Sequence, residues 1–274
     1  MLRGFYGAGA GMITQQRHSE MLNNNLANAQ TPGYKGDNAS IRSFPEMLMQ
    51  AENVGAAPGG RNELIGSMNT GTYMQERTPN FAQGDTRQTE NNTDMAIVQG
   101  DVPVNEEGNS GALFFNVANE DGDLRYTRNG SFAVDGEGFL TTAQGNYVLD
   151  DAGDEIFVNN EEFTVDAGGN VFDDDGEELA TIDISFAAAP EDLVKEGDGL
   201  LAVPEDEDAL PTAIGDDDIN YDINQGFVEE SNVDLMRTMS DMMESMRIFE
   251  ANQTVLQAYD QSMERAVNDV GRLQ

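Results

Sequence analysis

Near the C-terminal end, Met239, Met242, Met246, Phe249, Gln253, Leu256, Asp260, Met263, Val267 and Val270 follow alternating steps of three and four. Such a row winds along one side of a helix as a coiled-coil-type seam. Ser231 or Asn232 is placed to cap that helix, Asp234 lies near its positive end, and the helix is expected to run to Leu273. The N-terminal end carries a second, weaker row of Leu2, Phe5, Gly9, Met12, Ser19, Leu22 and Leu26. That helix is expected to stop by Thr31, because Pro32 restrains its predecessor and Gly33 supplies a turn. Gly4, Gly7, Gly9 and Gly11 each cost a helix roughly 1 kcal/mol relative to Ala, so its first turns should be loose until something packs on them.

Between the two ends the period changes. Residues 35–94 read as an extended connector with some β structure, interrupted by Pro45, Pro58, Gly59, Gly60, Gly66, Gly71 and Pro79, with a short helix around Phe44 to Gln50. From Met95 onward short strands alternate with turn signals. Leu124 to Arg128 is followed by the Asn129-Gly130 turn, then Ser131 to Val134, Asp135-Gly136, Phe139 to Thr142, Gly145-Asn146 and Tyr147 to Leu149. The pattern resumes with Phe163 to Val165, Gly168-Gly169, Val171-Phe172 and Ala180 to Phe186. Acidic clusters at Glu205 to Asp208 and Asp216 to Asp218 flank Pro211 and mark the exit from the β region. The expected fold class is α+β. Residues 1–34 and 226–274 supply N- and C-terminal helices paired as a coiled-coil-like module, 35–94 the extended connector, and 95–225 a central acidic all-β domain.

Charge sharpens this division. The chain carries 14 Lys and Arg against 51 Asp and Glu, a net charge of −37, and residues 101–220 hold 32 acidic and 3 basic side chains, −29 of that total. A surface this negative repels nucleic acid and anionic lipid, and suits a high-salt environment. With no cysteine, neither disulfides nor a Cys-ligated zinc site is possible, and stability must come from packing and assembly. The N-terminus lacks the apolar run of a secretory signal, and no stretch approaches the ~20 apolar residues of a membrane span, so export would use a route without a cleaved signal.

Candidate chemistry is sparse. The one histidine, His18, sits between Arg17 and Ser19 with no ligand set at metal spacing, and reads as a surface or interface residue. Asp173-Asp174-Asp175-Gly176-Glu177-Glu178 imitates a calcium loop, but Val171 stands where an oxygen ligand is required, so a solvated turn is expected. The N-terminal glycines form no phosphate loop. No catalytic residue, cofactor or metal is assigned. Met236, Met239, Met242, Met243 and Met246 are either helix core or an interface that tolerates several slightly different neighbours, to which unbranched Met is suited.

Three segments carry a resemblance. Asn25-Leu26-Ala27-Asn28-Ala29-Gln30-Thr31-Pro32-Gly33-Tyr34-Lys35 is similar to the N-terminal signature of bacterial flagellar basal-body rod and hook proteins. Phe81-Ala82-Gln83-Gly84, Thr93-Asp94-Met95-Ala96-Ile97 and Tyr126-Thr127-Arg128-Asn129-Gly130-Ser131-Phe132 resemble that family's central region. Ser231-Asn232-Val233-Asp234, Arg247, Phe249-Glu250-Ala251-Asn252-Gln253 and Val270-Gly271-Arg272-Leu273 resemble its terminal helix. One departure is that Gly100-Asp101-Val102-Pro103 intervenes before Leu113-Phe114-Phe115, where the family has a Gly-rich, Phe-Phe-containing strand, so an altered or lengthened loop is expected there.

The resemblance implies a flagellar axial protein, closest in length to the rod proteins and too short for an ordinary hook protein. It implies paired terminal helices in an inner tube, a β domain facing outward, and export through the flagellar type III apparatus to the basal body outside the cytoplasmic membrane. Copies of itself and other rod or hook proteins would be its partners, met through Leu2, Phe5, Met12, Leu22, Leu26, Asn28, Met239, Met242, Met246, Phe249, Leu256, Met263, Val267, Val270 and Leu273. The rival reading is a secreted acidic β-domain binding module dimerised by a closed coiled coil.

Overall fold

Among the described residues a helix lies toward each end, and apart from one 3-10 turn at Pro190–Asp192 the regular structure between these helices is strand. The computed structural model describes residues 2–51, 63–105, 108, 110–119, 121–204, 208–216 and 218–271. Two units are formed: Met1–Ala27, Asp37–Thr78 and Asp234–Gln274 make the first, and Asn28–Gly36 and Pro79–Val233 the second.

The first unit contains helix α1 (Leu2–Ala27), strands β1 (Asp37–Ser43), β2 (Met47–Ala51), β3 (Glu63–Met68) and β4 (Thr72–Pro79), and helix α2 (Leu235–Gly271). Two ribbons, β1 with β4 and the antiparallel pair β2 with β3, lie between the helices in sequence. The Asn25 side chain fixes the start of β1 by exchanging two hydrogen bonds with the Asp37 backbone, at 2.8 and 2.9 Å. Thr14 Oγ1 donates to Thr72 O at 2.9 Å and so ties α1 to β4.

The second unit contains β5 (Thr86–Gln88), β6 (Met95–Gln99), β7 (Ala112–Ala118), β8 (Leu124–Thr127), β9 (Phe132–Val134), β10 (Leu140–Thr142), β11 (Tyr147–Val148), β12 (Thr164–Val165), β13 (Asn170–Phe172), β14 (Glu178–Thr181), β15 (Ile184–Ala187), β16 (Val194–Gly197), β17 (Leu200–Ala202), β18 (Tyr221–Gln225) and β19 (Phe227–Glu229). The main sheet has the order β16-β17-β8-β7-β11-β10-β9, with β15 also on β7. Smaller sheets pair β12-β13-β14, β18 with β6, and β19 with β5. β7 is buried at every position, and its alternate residues serve two cores: Leu113, Phe115 and Val117 enter the larger, Ala112 and Phe114 the smaller. A continuous apolar run is what a strand covered on both faces requires.

One loop design recurs six times among the described residues. Its first residue is Asn119, Asp135, Thr142, Asp150, Asp166 or Asp173, and the fourth is a glycine with φ between 79° and 98°. In each, the first residue's carbonyl accepts from the glycine N–H, and its N–H donates to the fifth residue's carbonyl. At Asn119, Asp135, Asp150 and Asp166 the side-chain oxygen also accepts from the third and fifth amides, at 2.8 to 3.0 Å. This is a type I turn closed by a left-handed glycine. Part of the acidity therefore has a local cause, because a short acceptor is needed at the first position. The Asp166 carboxyl is held below the usual range, chiefly by the bond from the Asn170 side chain.

Four expectations change. The helix around Phe44 to Gln50 is replaced by β2, because so short a helix cannot offset its nucleation cost while pairing with β3 satisfies the backbone. Asn129-Gly130 does not turn a hairpin, since β8 pairs with β7 and β17 while β9 pairs with β10. Gly130 is needed instead because the Met95 carbonyl passes where a Cβ would stand. Ala180 to Phe186 divides between β14 and β15, which belong to different sheets. The cap of α2 is Asp234, whose Oδ1 accepts from Met236 and Arg237 N–H at 2.9 and 3.0 Å, not Ser231 or Asn232. The insertion at Gly100 to Pro103 forms part of a loop before β7, and Asp173 to Glu177 forms one of the six turns.

Candidate assembly surface and a buried ionic cluster

Within the first unit α1 and α2 run antiparallel. Gly4 meets Tyr259, Gly11 meets Asn252, and Ser245 Oγ donates to Gln15 O at 3.0 Å. Beside the half-buried Asp241, the α2 residues turned from solvent are Thr238, Met242, Ser245, Phe249, Asn252, Leu256 and Tyr259, in steps of four and three. This face shares Met242, Phe249 and Leu256 with the apolar row read from the sequence. At alternate positions it is displaced by one residue, taking Thr238, Ser245, Asn252 and Tyr259 in place of Met239, Met246, Gln253 and Asp260. Glycine on α1 makes room for this face, since a Cβ on Gly4 would overlap the Tyr259 hydroxyl and one on Gly11 would stand 2.8 Å from Asn252 Nδ2.

The displaced methionines are left outside. Met236 is 73% exposed, Met239 41%, Met243 53% and Met246 49%. They form one stripe, roughly a third of a turn from the face on α1. Met263 and Val267, exposed farther along the helix, lie instead in line with Met242, Phe249 and Leu256 of the face on α1. On α1, Met21 and Leu22 are buried, Phe5, Met12 and Leu26 half-buried, and Tyr6 and Ile13 exposed. Leu2 and Val270 belong to α1 and α2 but their side chains lie outside the described residues, as do Leu273, Glu205 to Glu207 and Asp217.

Signature residues of both ends meet inside the second unit. Asn28 O accepts from Thr31 N–H, and Thr31 O from Tyr34 N–H, on either side of Pro32. Gly33, at φ 68°, donates to Glu229 O at 2.8 Å, and a Cβ there would stand 2.5 Å from the Arg128 carbonyl. Lys195 Nζ lies 5.2 Å above the Tyr34 ring. Ser231 Oγ accepts from Val233 N–H at 3.3 Å. Asn232 accepts from Gly36 N–H at 2.9 Å and donates to Asn80 O and Ala82 O at 2.7 and 3.1 Å.

Beneath these bonds lies an ionic cluster that sequence reasoning missed. Glu229, on β19 and 1% exposed, accepts from Lys35 Nζ at 2.5 Å, Arg128 Nε at 2.6 Å and Gly84 N–H at 2.8 Å. Arg128 is otherwise occupied by Leu113 O and Ile97 O, and Lys35 by Ala82 O. Burial, the largest influence on Glu229, pushes its carboxyl up, but the charges and donated bonds of Arg128 and Lys35 outweigh it and hold the group below the usual range. The Lys35 ammonium is lowered, chiefly by burial, with Arg128 adding to the shift and Glu229 opposing it. Lys35 and Arg128 stand in motifs read from the sequence; Glu229 has no local signal beyond a carboxylate at a strand end.

Elsewhere the chemistry is plain. Among the described residues no group of three or more His, Cys, Asp and Glu could hold a metal ion, and no helix is long and apolar enough to cross a membrane. Of the 51 acidic residues, 38 fall in the second unit against five basic ones, so that unit carries −33 of the net charge.

Comparison with known proteins matches three family models in chain order. Residues 5–35 match flagella basal body rod protein, 110–172 the flagellar hook protein FlgE/F/G D1 domain, and 224–269 the flagellar basal body rod FlgEFG protein C-terminal. Lys35, Arg128 and Glu229 fall one in each matched segment. The chain is 41% identical over 274 residues to the flagellar hook-basal body complex protein FlhO of Bacillus subtilis, covering 100% of both chains. It is 30% identical over 277 residues to the flagellar basal-body rod protein FlgG of Borreliella burgdorferi, covering 98% of each. With FlgG of Agrobacterium fabrum it shares 28% identity over 264 residues, covering 93% of this chain and 94% of the relative.

Proposed function

The chain belongs to the flagellar basal-body rod and hook protein family, whose members are structural components, and we propose that it is a rod subunit assembling helically through its terminal helices to transmit torque. The observation that carries this reading is the exposed stripe of Met236, Met239, Met243 and Met246 on a helix whose neighbouring face is already taken by α1. Burying each such side chain contributes roughly 1.5 to 3 kcal/mol, enough over several residues to offset the ordering of a helix end. Contacts that do not close into a ring generate an open helical assembly. In this arrangement the terminal segments form a coiled-coil-like inner module, with Phe5, Met12, Leu26, Met263 and Val267 among the residues that meet neighbours. The acidic β region faces outward, where its repulsion is screened by solvent ions. The partners are copies of the chain and other axial proteins, reached after export through the flagellar type III apparatus.

The test is a Met239→Glu, Met246→Glu double variant of the full chain. Expected is loss of rod incorporation and motility, with the melting of the isolated chain changed by less than about 1 kcal/mol, as for exposed substitutions. Normal motility would overturn the reading. A discrete dimer that the variant splits, in cells whose rod is unaffected, would favour the closed binding module.

A further inference from the structure

The chain passes between its two units four times, after Ala27, Gly36, Thr78 and Val233. Inside the second unit the segments beside these passages are joined to one another. Asn80 N–H donates to Gly36 O at 2.8 Å, Gly36 N–H to Asn232, and Asn232 to Asn80 and Ala82. The segment that begins at Asn28 is held through Gly33 N–H to Glu229 O. Below this ring, the Glu229 side chain collects Lys35, Gly84 and Arg128.

The charge balance of the cluster is uneven. Two cations share one carboxylate, so removing Lys35 leaves a neutral Arg128–Glu229 pair, while removing Glu229 leaves two positive charges buried. Unpaired buried charge is far costlier than a buried pair. The carboxylate also arrives last, because Glu229 follows Arg128 by 101 residues and Lys35 by 194. A chain that ends before Glu229 has two cations to bury and nothing in this cluster to neutralise them.

We propose that the Lys35–Arg128–Glu229 cluster is a closure lock: the second unit completes its fold only when β19 seats Glu229, whose side chain binds Lys35, Gly84 and Arg128 and whose carbonyl holds Gly33, beneath the ring of Gly36, Asn80 and Asn232. An incomplete chain therefore stays open, and a complete one holds its signature segments as a single body. The lock acts in the isolated chain, so it stands or falls separately from the assembly reading.

Native-state hydrogen exchange on the full-length protein tests it, comparing Glu229→Gln with Lys35→Met. Glu229→Gln is expected to speed exchange of the Gly33, Gly36 and Gly84 amides and of β7 and β8 together, by on the order of a hundred-fold, and Lys35→Met by less than about ten-fold. A third variant, Lys35→Met with Arg128→Met and Glu229→Gln, removes every charge and is expected to recover much of the lost protection. Exchange that rises in β19 alone, with β7 and β8 unchanged, would show a local ion pair and overturn the lock. If Glu229→Gln does not fold, the neutral triple variant decides: recovery of the fold supports the lock, and failure to recover refutes it.

Discussion

Gly11 of α1 lies against Asn252 of α2 so closely that a Cβ built on the glycine would stand 2.8 Å from the Asn252 amide nitrogen, whereas one on Gly9 would meet nothing within 4 Å. Both glycines cost the helix about 1 kcal/mol relative to Ala, but only one returns a close helix contact. Gly9→Ala is therefore expected to stabilise the isolated chain by up to about 1 kcal/mol, and Gly11→Ala to stabilise it by less, because the Asn252 amide must shift to admit the Cβ. Thermal unfolding followed by helical circular dichroism measures both. Equal effects would mean that the close approach does not constrain the pair.

The six repeated turns make a second prediction. At Gly153 a Cβ finds open space, so Gly153→Ala isolates the left-handed backbone strain, about 1 to 2 kcal/mol, and Gly153→Asn should cost less. Gly138→Ala carries the same strain and also sets a Cβ 2.8 Å from the Phe157 ring, so it should cost more than Gly153→Ala. Denaturant midpoints at unchanged slope provide the comparison.

Acid should act on the cluster in a fixed direction. The folded carboxyl of Glu229 lies below its unfolded value of about 4.3, so its stabilisation is complete above that value and is lost as pH falls through the folded pKa. Milder acidification opposes this, since protonating the exposed carboxylates of a −33 unit relieves repulsion. In high salt the repulsion is already screened, and the second unit should then show only the acid loss below about pH 4. Urea unfolding from pH 7 to 3, with Glu229→Gln as the variant in which the loss is smaller, reads the effect.

Salt should separate the units. Raising ionic strength from about 0.01 to 1 M shortens screening from roughly 30 to 3 Å, and should stabilise the second unit by about 2 kcal/mol, or roughly 5 °C, with little change in the helices. The first unit carries only −4, with nine basic against 13 acidic residues. Sodium and magnesium salts at equal ionic strength should act alike. A much larger magnesium effect would show a specific site and contradict screening.

Much of this architecture is legible in the chain itself. Helical periodicity, Pro32 and Gly33 bound α1, and alternating short strands with Gly-containing turns locate β8 to β13 closely, because these elements are set by local sterics and side-chain period. The family motifs are legible for the same reason, each being a short contiguous stretch. Turn detail was less legible, since Asp135-Gly136 looks like the turn while the left-handed residue is Gly138.

What the sequence determined by itself is that the ends are amphipathic helices, that the middle is acidic β structure, and that the family motifs are present. Tertiary structure decided which side of α2 is used within the chain. An apolar row nominates Met239 and Met246, but the glycines of α1 let the helices approach through Thr238, Ser245, Asn252 and Tyr259, and the methionine stripe stays exposed. It also decided the role of Glu229, because pairing one carboxylate with cations 101 and 194 residues away depends on how the strands are brought together, and no local pattern encodes that meeting.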